Sequence, residues 1–291
     1  MTAPRARLDS ELVRRGLARS REQACELVAA GRVAVAGQRA AKPATQVARD
    51  APITVTDFVD PGYVSRGGYK LAGALQAFGG LIVAGRQCLD AGASTGGFTD
   101  VLLRAGAAHV VAADVGYGQL AWSLRTDPRV TVMDRVNVRA LGPVTPVPDL
   151  VVADLSFISL TLVLPALVTA ATPEADFVLL VKPQFEVGKG RVGAGGVVRD
   201  TTDRSASIQK VAGAAAGLGL GVQGITASPL PGPAGNVEYF LWLRRGAPPL
   251  DQEQLARAIA GSPRRSGRPG GNGGNGESPR AERRSPRGER S

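Results

Sequence analysis

Cysteine and histidine are almost missing from this sequence. Its 291 residues include two cysteines, Cys25 and Cys88, and a single histidine, His109. Two cysteines provide neither a disulfide framework nor the paired spacing of a zinc site. One histidine disfavours a histidine-based metal site and a serine–histidine hydrolase triad. We therefore predict no bound metal.

Aromatic residues and long apolar runs are also scarce. Phe, Trp and Tyr make up 4% of the chain and hydrophobic residues 44%, so the core must consist mostly of Val, Leu and Ala, as in a parallel sheet covered on both faces. The longest apolar runs, near 160–171 and 177–181, are shorter than the ~18 residues of a membrane-spanning helix. The N-terminus is charged and lacks the apolar segment of a secretory signal. We expect a soluble, cytoplasmic protein.

The charge is positive and unevenly placed. The formal net charge is +10, and the excess of Lys and Arg lies in residues 1–60 and 261–291. This fits a polyanionic partner such as nucleic acid, although solubility and a high use of arginine would also produce it. Residues 261–291 are mainly Gly, Pro, Ser, Asn and Arg, a composition that predicts a disordered basic tail. The tail is either a weak tether for RNA or inert.

Residues 1–58 have the pattern of a small α+β module. Apolar residues at helical spacing precede Gly16, and a capping box at Ser20–Gln23 begins a second helix that ends at Gly31. Two short strands follow. The module resembles the S4-type RNA-binding domain. The matching residues are Arg7-Leu8-Asp9, Leu12, Gly16-Leu17, Ser20-Arg21, Ala24, Leu27, Gly31 and Val33-x-Val35-x-Gly37.

The S4 resemblance implies a set of arginines that face RNA phosphates. These residues are Arg7, Arg19, Arg21 and Arg32, and we add Arg66, which lies at the end of a predicted linker over 59–67. The alternative is that they only form the solvated faces of short helices.

Beyond the linker, short apolar runs alternate with helical segments. The predicted strands are 87–89, 109–113, 130–133, 150–153, 177–181, 221–228 and 237–243, and helices are expected near 69–78, 97–105, 118–124, 158–171 and 204–217. This alternation predicts a doubly wound parallel sheet. The Pro- and Gly-rich segment 229–235 cannot form a helix, so the last strand should be antiparallel to its neighbour. We predict an α/β fold with a seven-stranded, Rossmann-like class I methyltransferase sheet over 68–250.

A glycine-rich loop follows the first strand of this sheet. It reads Leu89-Asp90-Ala91-Gly92-Ala93-Ser94-Thr95-Gly96-Gly97-Phe98-Thr99 and opens a helix. Glycines permit a close backbone approach, and a helix N-terminus offers free N–H groups. The loop matches neither the dinucleotide fingerprint nor a P-loop. An acidic residue at a strand end followed by a glycine turn is typical of S-adenosylmethionine sites.

The cofactor prediction assigns individual roles. Asp90 can meet the cationic methionine end, Asp114 can accept hydrogen bonds from both ribose hydroxyls, and Asn137 lies where adenine would bind. The full set of predicted cofactor-binding residues is Asp90, Gly92, Ser94, Thr95, Gly96, Gly97, Phe98, Asp114, Asn137 and Asp154. The alternative is a tight strand–helix connection without a ligand.

Charged residues end two neighbouring central strands. Asp154 follows the fourth strand and Lys182 the fifth, at the edge where open α/β sheets bind ligands. A lysine that ends an apolar strand is poorly explained by structure alone, because a buried ammonium is costly. Lys70 and Glu238 complete a possible Lys-Asp-Lys-Glu set. Taken singly, Lys70 could be a helix-surface residue, Asp154 a helix cap and Glu238 a strand-edge charge.

Five motifs in order resemble the TlyA family, historically also called hemolysin A. They are Ser65-Arg66-Gly67-Gly68-Tyr69-Lys70-Leu71, Asp90 to Asp100, Asp154-Leu155-Ser156-Phe157, Lys182-Pro183-Gln184-Phe185-Glu186 and Gly235-Asn236-Val237-Glu238. The family consists of S4-domain rRNA methyltransferases with an FtsJ-like catalytic domain. The resemblance covers roughly residues 5–245. It implies 2′-O-methylation of cytidine in rRNA of one or both ribosomal subunits, with Lys70, Asp154, Lys182 and Glu238 as catalytic residues.

Lys182 is expected to activate the ribose hydroxyl, either as a base or as a cation that stabilises the oxyanion. Lys70 is expected to supply a second positive charge beside it, and the two carboxylates to orient the lysines. Three alternatives stay open. An RNA base methyltransferase would have no use for the two lysines, a non-enzymatic ribosome assembly factor would carry a vestigial methyltransferase domain, and a membrane-lytic protein lacks an apolar span. The sequence does not predict the oligomeric state.

Overall fold

The computed structural model describes residues 5–36, 38–55 and 61–261, without the side chains of Arg39, Lys189 and Ala194. The chain divides into two compact units, with the division between Ile53 and Thr54. The predicted basic tail, apart from Gly261, and part of the predicted linker lie outside the described residues. Within the described residues, no helix is long and apolar enough to cross a membrane.

The first unit contains two short helices and small sheets. Its elements are β1 (Arg5–Arg7), α1 (Leu8–Arg14), α2 (Arg21–Ala29), β2 (Val33–Val35), β3 (Gln38–Arg39), β4 (Gln46–Ala48) and β5 (Ile53–Val55), the last at the boundary. β1 pairs with β4, and β2 lies between β3 and β5. Leu8, Leu12 and Val28 are among the buried residues of this unit.

The predicted helix limits in this unit are confirmed. Gly16 and Gly31 follow the two helices with φ of +70° and +68°, a conformation that side chains with a Cβ rarely adopt. The Ser20 hydroxyl accepts a hydrogen bond from the Gln23 amide. The Gln23 side chain accepts from the backbone N–H of Arg19, one residue before the position that a capping box requires.

The second unit is a seven-stranded sheet with helices on both faces. Its elements are α3 (Arg66–Phe78), β6 (Gln87–Ala91), α4 (Gly97–Arg104), β7 (His109–Asp114), α5 (Trp122–Arg125), β8 (Val130–Asp134), β9 (Leu150–Ala153), α6 (Leu160–Ala170), β10 (Asp176–Val181), α7 (Pro183–Glu186), α8 (Thr201–Ala216), β11 (Leu220–Ala227), β12 (Tyr239–Arg245) and α9 (Gln252–Ala260). The strand order is β11-β12-β10-β9-β6-β7-β8. β12 is antiparallel to both of its neighbours, and the other pairings are parallel. The predicted sheet is therefore confirmed.

Alternation along the strands divides the core of this unit into two layers. In β6, Leu89 and Ala91 belong to one hydrophobic cluster and Cys88 to the other, as a side-chain period of two requires. Helices α6, α8 and α9 contribute to the first cluster, and α3, α4 and α5 to the second. Asp90 shares the face of Cys88, which directs it towards the helix that opens after the glycine-rich loop.

Four helices differ from the sequence predictions. Helix α3 begins at Arg66, inside the predicted linker, and helix α7 was not predicted. Helix α5 begins at Trp122 rather than near 118, because Gly118 has a φ of +66° and cannot continue a right-handed helix. Helix α9 was not predicted. Its signals were present in the sequence: Asp251 accepts hydrogen bonds from the amides of Glu253 and Gln254, and Leu255 and Ala258 form the buried face.

Candidate active site

Sheet register brings three of the four predicted catalytic residues to one edge. Asp154 directly follows β9, whose last residue, Ala153, is paired with Leu179 of β10 and with Ala91 of β6. Lys182 directly follows Val181, which is paired with Tyr239 at the start of β12. Glu238 therefore lies just before β12, next to Lys182.

Lys70 and Glu238 form a buried ion pair. Helix α3 supplies Lys70, whose Nζ lies 2.7 Å from Oε2 of Glu238. The two side chains are 8% and 1% exposed, so the interpretation of Lys70 as a helix-surface residue is wrong. Glu238 Oε1 has no hydrogen-bond partner among the described residues. Gly232 lies against this oxygen, where any Cβ would collide with it.

Lys182 and Asp154 form a second ion pair at the same edge. The ammonium lies 2.5 Å from Oδ1 of Asp154 and donates a hydrogen bond of 2.9 Å to Oγ of Ser156. Each lysine of the set thus faces its own carboxylate. The positive charge that Lys70 is expected to supply is balanced locally by Glu238.

Asp90 is fully buried beneath the glycine-rich loop. Its Oδ2 accepts a hydrogen bond of 2.7 Å from the Thr99 hydroxyl of α4, while Oδ1 has no partner among the described residues. Burial raises the pKa of Asp90 to about 7, and the negative charges of Asp154 and Asp114 act in the same direction. A carboxyl group in this setting gains from a cation placed against its free oxygen.

The side chain of Asp114 ties together the loops that follow β6 and β7. Oδ2 accepts from the Ser94 amide at 2.9 Å, and Oδ1 accepts from the Gly116 amide at 2.7 Å. A carboxylate has about four acceptor positions, so capacity is left for hydroxyl donors. Asn137 is exposed, and its Oδ1 accepts from the Arg139 amide at 3.0 Å.

The glycines of the loop are required by packing within the protein. A Cβ at Gly92 would lie 2.8 Å from the carbonyl oxygen of Asp154. A Cβ at Gly96 would collide with Leu124, and one at Gly97 with Ser65. The sequence interpretation, in which these glycines make room for a ligand, is incomplete because protein atoms already occupy that space.

Two other loop residues differ in exposure. Phe98 is a core residue, 3% exposed, and its ring packs against Phe240 with centroids 5.9 Å apart. Its assignment as a cofactor-binding side chain is therefore not supported. Thr95 is exposed, and its carbonyl oxygen accepts from the Ala121 amide.

Phe157 was missed by the sequence predictions as a site residue. It is 90% exposed and has a φ of +65°, which is rare for a bulky side chain and points to a functional constraint. Its ring lies 5.2 Å from that of Phe185, between centroids. Phe157 extends from the loop that carries Asp154, and Phe185 extends from helix α7, which begins directly after Lys182. In the sequence, Phe157 belongs to the motif Asp154-Leu155-Ser156-Phe157, but residue type alone does not indicate that its ring is exposed.

The predicted RNA-binding arginines divide between the two units. In the first unit, Arg7 and Arg21 both contact Asp9, Arg19 is exposed and Arg32 is half-buried. Arg66 belongs to the second unit, where its Nη2 donates to the carbonyl oxygen of Pro231 at 3.4 Å. The first unit therefore carries four of the predicted arginines, and the second unit carries Arg66.

Comparison with protein families matches residues 63–245 to a model described as FtsJ-like methyltransferase, and residues 6–53 to the S4 domain. The 16S/23S rRNA (cytidine-2′-O)-methyltransferase TlyA of Mycobacterium tuberculosis is 64% identical over 244 residues, which cover 83% of this chain and 91% of the relative. The chain belongs to the TlyA family of FtsJ-like methyltransferases.

Other TlyA-family members carry the hemolysin name. Hemolysin A of Brachyspira hyodysenteriae is 37% identical over 237 residues, covering 80% of this chain and 98% of that protein. A solved structure named as a hemolysin, from Streptococcus thermophilus, has a TM-score of 0.66 at 38% identity and covers 89% of this chain and 97% of that one. The predicted family membership is thus confirmed, with both of its domains.

Proposed function

We propose that this chain transfers a methyl group from S-adenosylmethionine to a cytidine ribose 2′-hydroxyl of ribosomal RNA. The observation that carries the proposal is the assembly of Lys70, Asp154, Lys182 and Glu238 at the sheet edge beside the glycine-rich loop. The 64% identical relative named for this reaction supports the same substrate class. An enzyme that methylates ribosomal RNA would act in the cytoplasm.

The residues around the loop fit a cationic cofactor. Asp90 has a buried oxygen that finds no partner in the described part of the chain, and the carboxylates of Asp114 and Asp154 are close enough to act on its titration. Such an acidic site favours a sulfonium cation and would repel a diphosphate. Asp90 would hold the methionine end, Asp114 the ribose and Asn137 the adenine. When bound, S-adenosylmethionine supplies the electrophilic methyl group.

Lys182 is placed to act on the nucleophile. A ribose hydroxyl is a weak nucleophile, so its proton must leave and its developing negative charge must be stabilised. An ammonium has three N–H donors. One is donated to Ser156, and the ammonium also lies 2.5 Å from Oδ1 of Asp154, which leaves a donor for a substrate oxygen. This arrangement favours Lys182 as the cation that stabilises the oxyanion over Lys182 as the base. The hydroxyl proton then passes to water, because an ammonium cannot accept it.

Lys70 and Glu238 are proposed to orient the groups of the site rather than to react. Their ion pair is buried, and Glu238 lies next to Lys182 because Val181 is paired with Tyr239. The pair would thereby hold the start of β12 in place beside Lys182. The rest of the rate acceleration comes from alignment of the hydroxyl with the methyl group.

Methyl transfer to ribosomal subunits tests the proposal. Purified subunits from a strain that lacks this gene are incubated with labelled S-adenosylmethionine, and the rRNA is digested to nucleosides. Label in 2′-O-methylcytidine is the expected result. Label in a methylated base would identify an RNA base methyltransferase. Cofactor binding without transfer to subunits or to free rRNA would favour a non-enzymatic assembly factor.

A further inference from the structure

The first unit carries two buried carboxylates in the first turn of helix α1. Asp9 and Glu11 are each 1% exposed. Burial of a carboxylate is unfavourable unless its charge is paired and its lone pairs are satisfied. Each of the two is therefore paired with two arginines. The pairs are Arg7 and Arg21 with Asp9, and Arg14 and Arg15 with Glu11.

The Glu11 cluster stabilises the fold. Arg15, with a side chain 21% exposed, donates to the carbonyl oxygens of Ala51 at 2.8 Å and Arg49 at 2.7 Å. The guanidinium thereby links helix α1 to the turn before β5. Most of its donors are directed into the protein.

The Asp9 cluster is arranged differently. Arg7 donates two hydrogen bonds to the Asp9 carboxylate, from Nε at 3.1 Å and from Nη2 at 2.7 Å. Arg21 adds a bond of 3.1 Å from its Nη2 to the same Oδ2 that Arg7 contacts. The arginine side chains are 46% and 60% exposed, whereas that of Asp9 is 2% exposed. The carboxylate thus lies beneath two guanidinium groups that face solvent, and these hold its pKa well below the usual range.

We propose that Asp9 is a positioning residue that holds Arg7 and Arg21 as a preformed site for one phosphate of the RNA backbone. The inference rests on the proposed function, since it takes RNA as the partner. Two guanidinium groups fixed by one carboxylate present planar donors that match a phosphate. A long side chain that is ordered before binding does not lose its rotamer freedom on binding.

The expected effect of removing the Asp9 charge is opposite to the effect that net charge alone would produce. Removal of a negative charge from an RNA-binding surface should strengthen binding if only net charge matters. If Asp9 acts by ordering Arg7 and Arg21, its removal should weaken binding. The sign of the change therefore separates the two accounts.

The test uses the full-length chain and the variant Asp9→Asn. Asparagine keeps the shape and an acceptor for the Ser10 amide, which donates to Oδ1 of Asp9 at 2.8 Å. Affinity for purified small and large ribosomal subunits is measured over a range of salt concentrations. We expect the affinity to be about five- to tenfold weaker, because two arginine side chains would then have to be ordered on binding. The matched control is Asp50→Asn, which makes the same charge change at an exposed position of the same unit and should bind as tightly as wild type or slightly tighter.

A mutant cycle shows whether Asp9 acts through the arginines. In the background Arg7→Gln/Arg21→Gln, Asp9→Asn should cause no further loss. An equal loss in both backgrounds would overturn the inference in favour of a general structural role. The pair Arg7→Lys/Arg21→Lys keeps the charge and removes the planar fork, so it should bind weakly. This pair provides the test if Asp9→Asn lowers the thermal stability.

Outcomes for the inference and for the proposed function are distinct. Wild-type methyl transfer together with Asp9→Asn binding at or above the level of Asp50→Asn would overturn the inference alone. Wild-type protein that neither binds subunits nor methylates them would overturn both.

Discussion

Lys70 and Glu238 are 168 residues apart in the chain and meet as an ion pair of 2.7 Å in the interior of the protein. A buried pair of this kind is weak evidence of stabilisation, because the desolvation of two charges offsets most of their attraction. Its position beside Lys182 at the end of the sheet instead points to a role in the site. Stability and activity should therefore respond differently when the pair is replaced.

Breaking the Lys70–Glu238 pair on one side should destabilise the fold. Lys70→Met leaves Glu238 buried and unpaired, and we expect a loss of about 3–5 kcal/mol in the free energy of unfolding. The double variant Lys70→Met/Glu238→Leu should recover most of that stability and still lack methyl transfer. Denaturant unfolding and a transfer assay measure both properties. Normal transfer by the double variant would remove the pair from the catalytic set.

Lys182→Met should abolish transfer while cofactor affinity stays nearly unchanged. Loss of a single oxyanion donor typically reduces kcat by about 10²–10³-fold, and Lys182 contacts Asp154 and Ser156 rather than Asp90 or Asp114. Calorimetry with S-adenosylmethionine and single-turnover transfer to subunits give the two quantities. Lys182→Arg is the control for charge alone. A normal rate for Lys182→Met would refute the assignment.

Cofactor affinity should decrease as the pH falls below about 7. Burial raises the pKa of Asp90 to about 7, so below that pH the free protein holds a proton that a cationic ligand must displace. We expect affinity to fall up to tenfold per pH unit between pH 7 and pH 5.5. In Asp90→Asn this pH dependence should be absent and binding weak throughout. An equally steep profile in the variant would assign the titration to another group.

The raised pKa of Asp90 should also make the stability of the fold depend on pH. Its pKa is higher in the folded protein than in the unfolded chain, where it is about 3.9, so the unfolded state loses the proton first. The contribution of Asp90 to the free energy of unfolding is therefore greatest below pH 4 and decreases as the pH rises to about 7. At pH 8 the unliganded Asp90→Asn protein should therefore be more stable than wild type, by on the order of 4 kcal/mol. Thermal unfolding at pH 5 and pH 8 measures the difference, with Asp50→Asn as the exposed control.

Phe157→Ala should weaken action on RNA without loss of stability. The side chain is 90% exposed and contributes little to the core, whereas stacking of a base on an aromatic ring is worth about 1–3 kcal/mol. Binding and single-turnover transfer with subunits should both decline, and Phe157→Tyr should retain them. Leu162→Ala, at a half-exposed position on α6, controls for the loss of surface apolar area. Equal activity of Phe157→Ala and wild type would exclude stacking at this ring.

Local sequence patterns were sufficient for most of the fold. Val33 and Val35, or Leu150 to Ala153, predict strands because their side chains suit a buried pleated surface, and Gly16 and Gly31 mark helix ends because a positive φ there favours glycine. The antiparallel course of β12 followed from the Pro- and Gly-rich connection before it. The start of α5 and the presence of α7 and α9 were not predicted, since short helices depend on packing more than on propensity.

The sequence by itself determined which chemical groups the site contains: an acidic residue before a glycine turn, and lysines and carboxylates at strand ends. Only the tertiary structure decided how they pair, with Lys70 joined to Glu238 and Lys182 to Asp154. It also decided that Phe98 is buried and Phe157 exposed, and that Asp9 lies beneath Arg7 and Arg21. The physical reason is that residue type and spacing act along the chain, whereas burial and ion pairing depend on residues that are distant in sequence and adjacent only after folding.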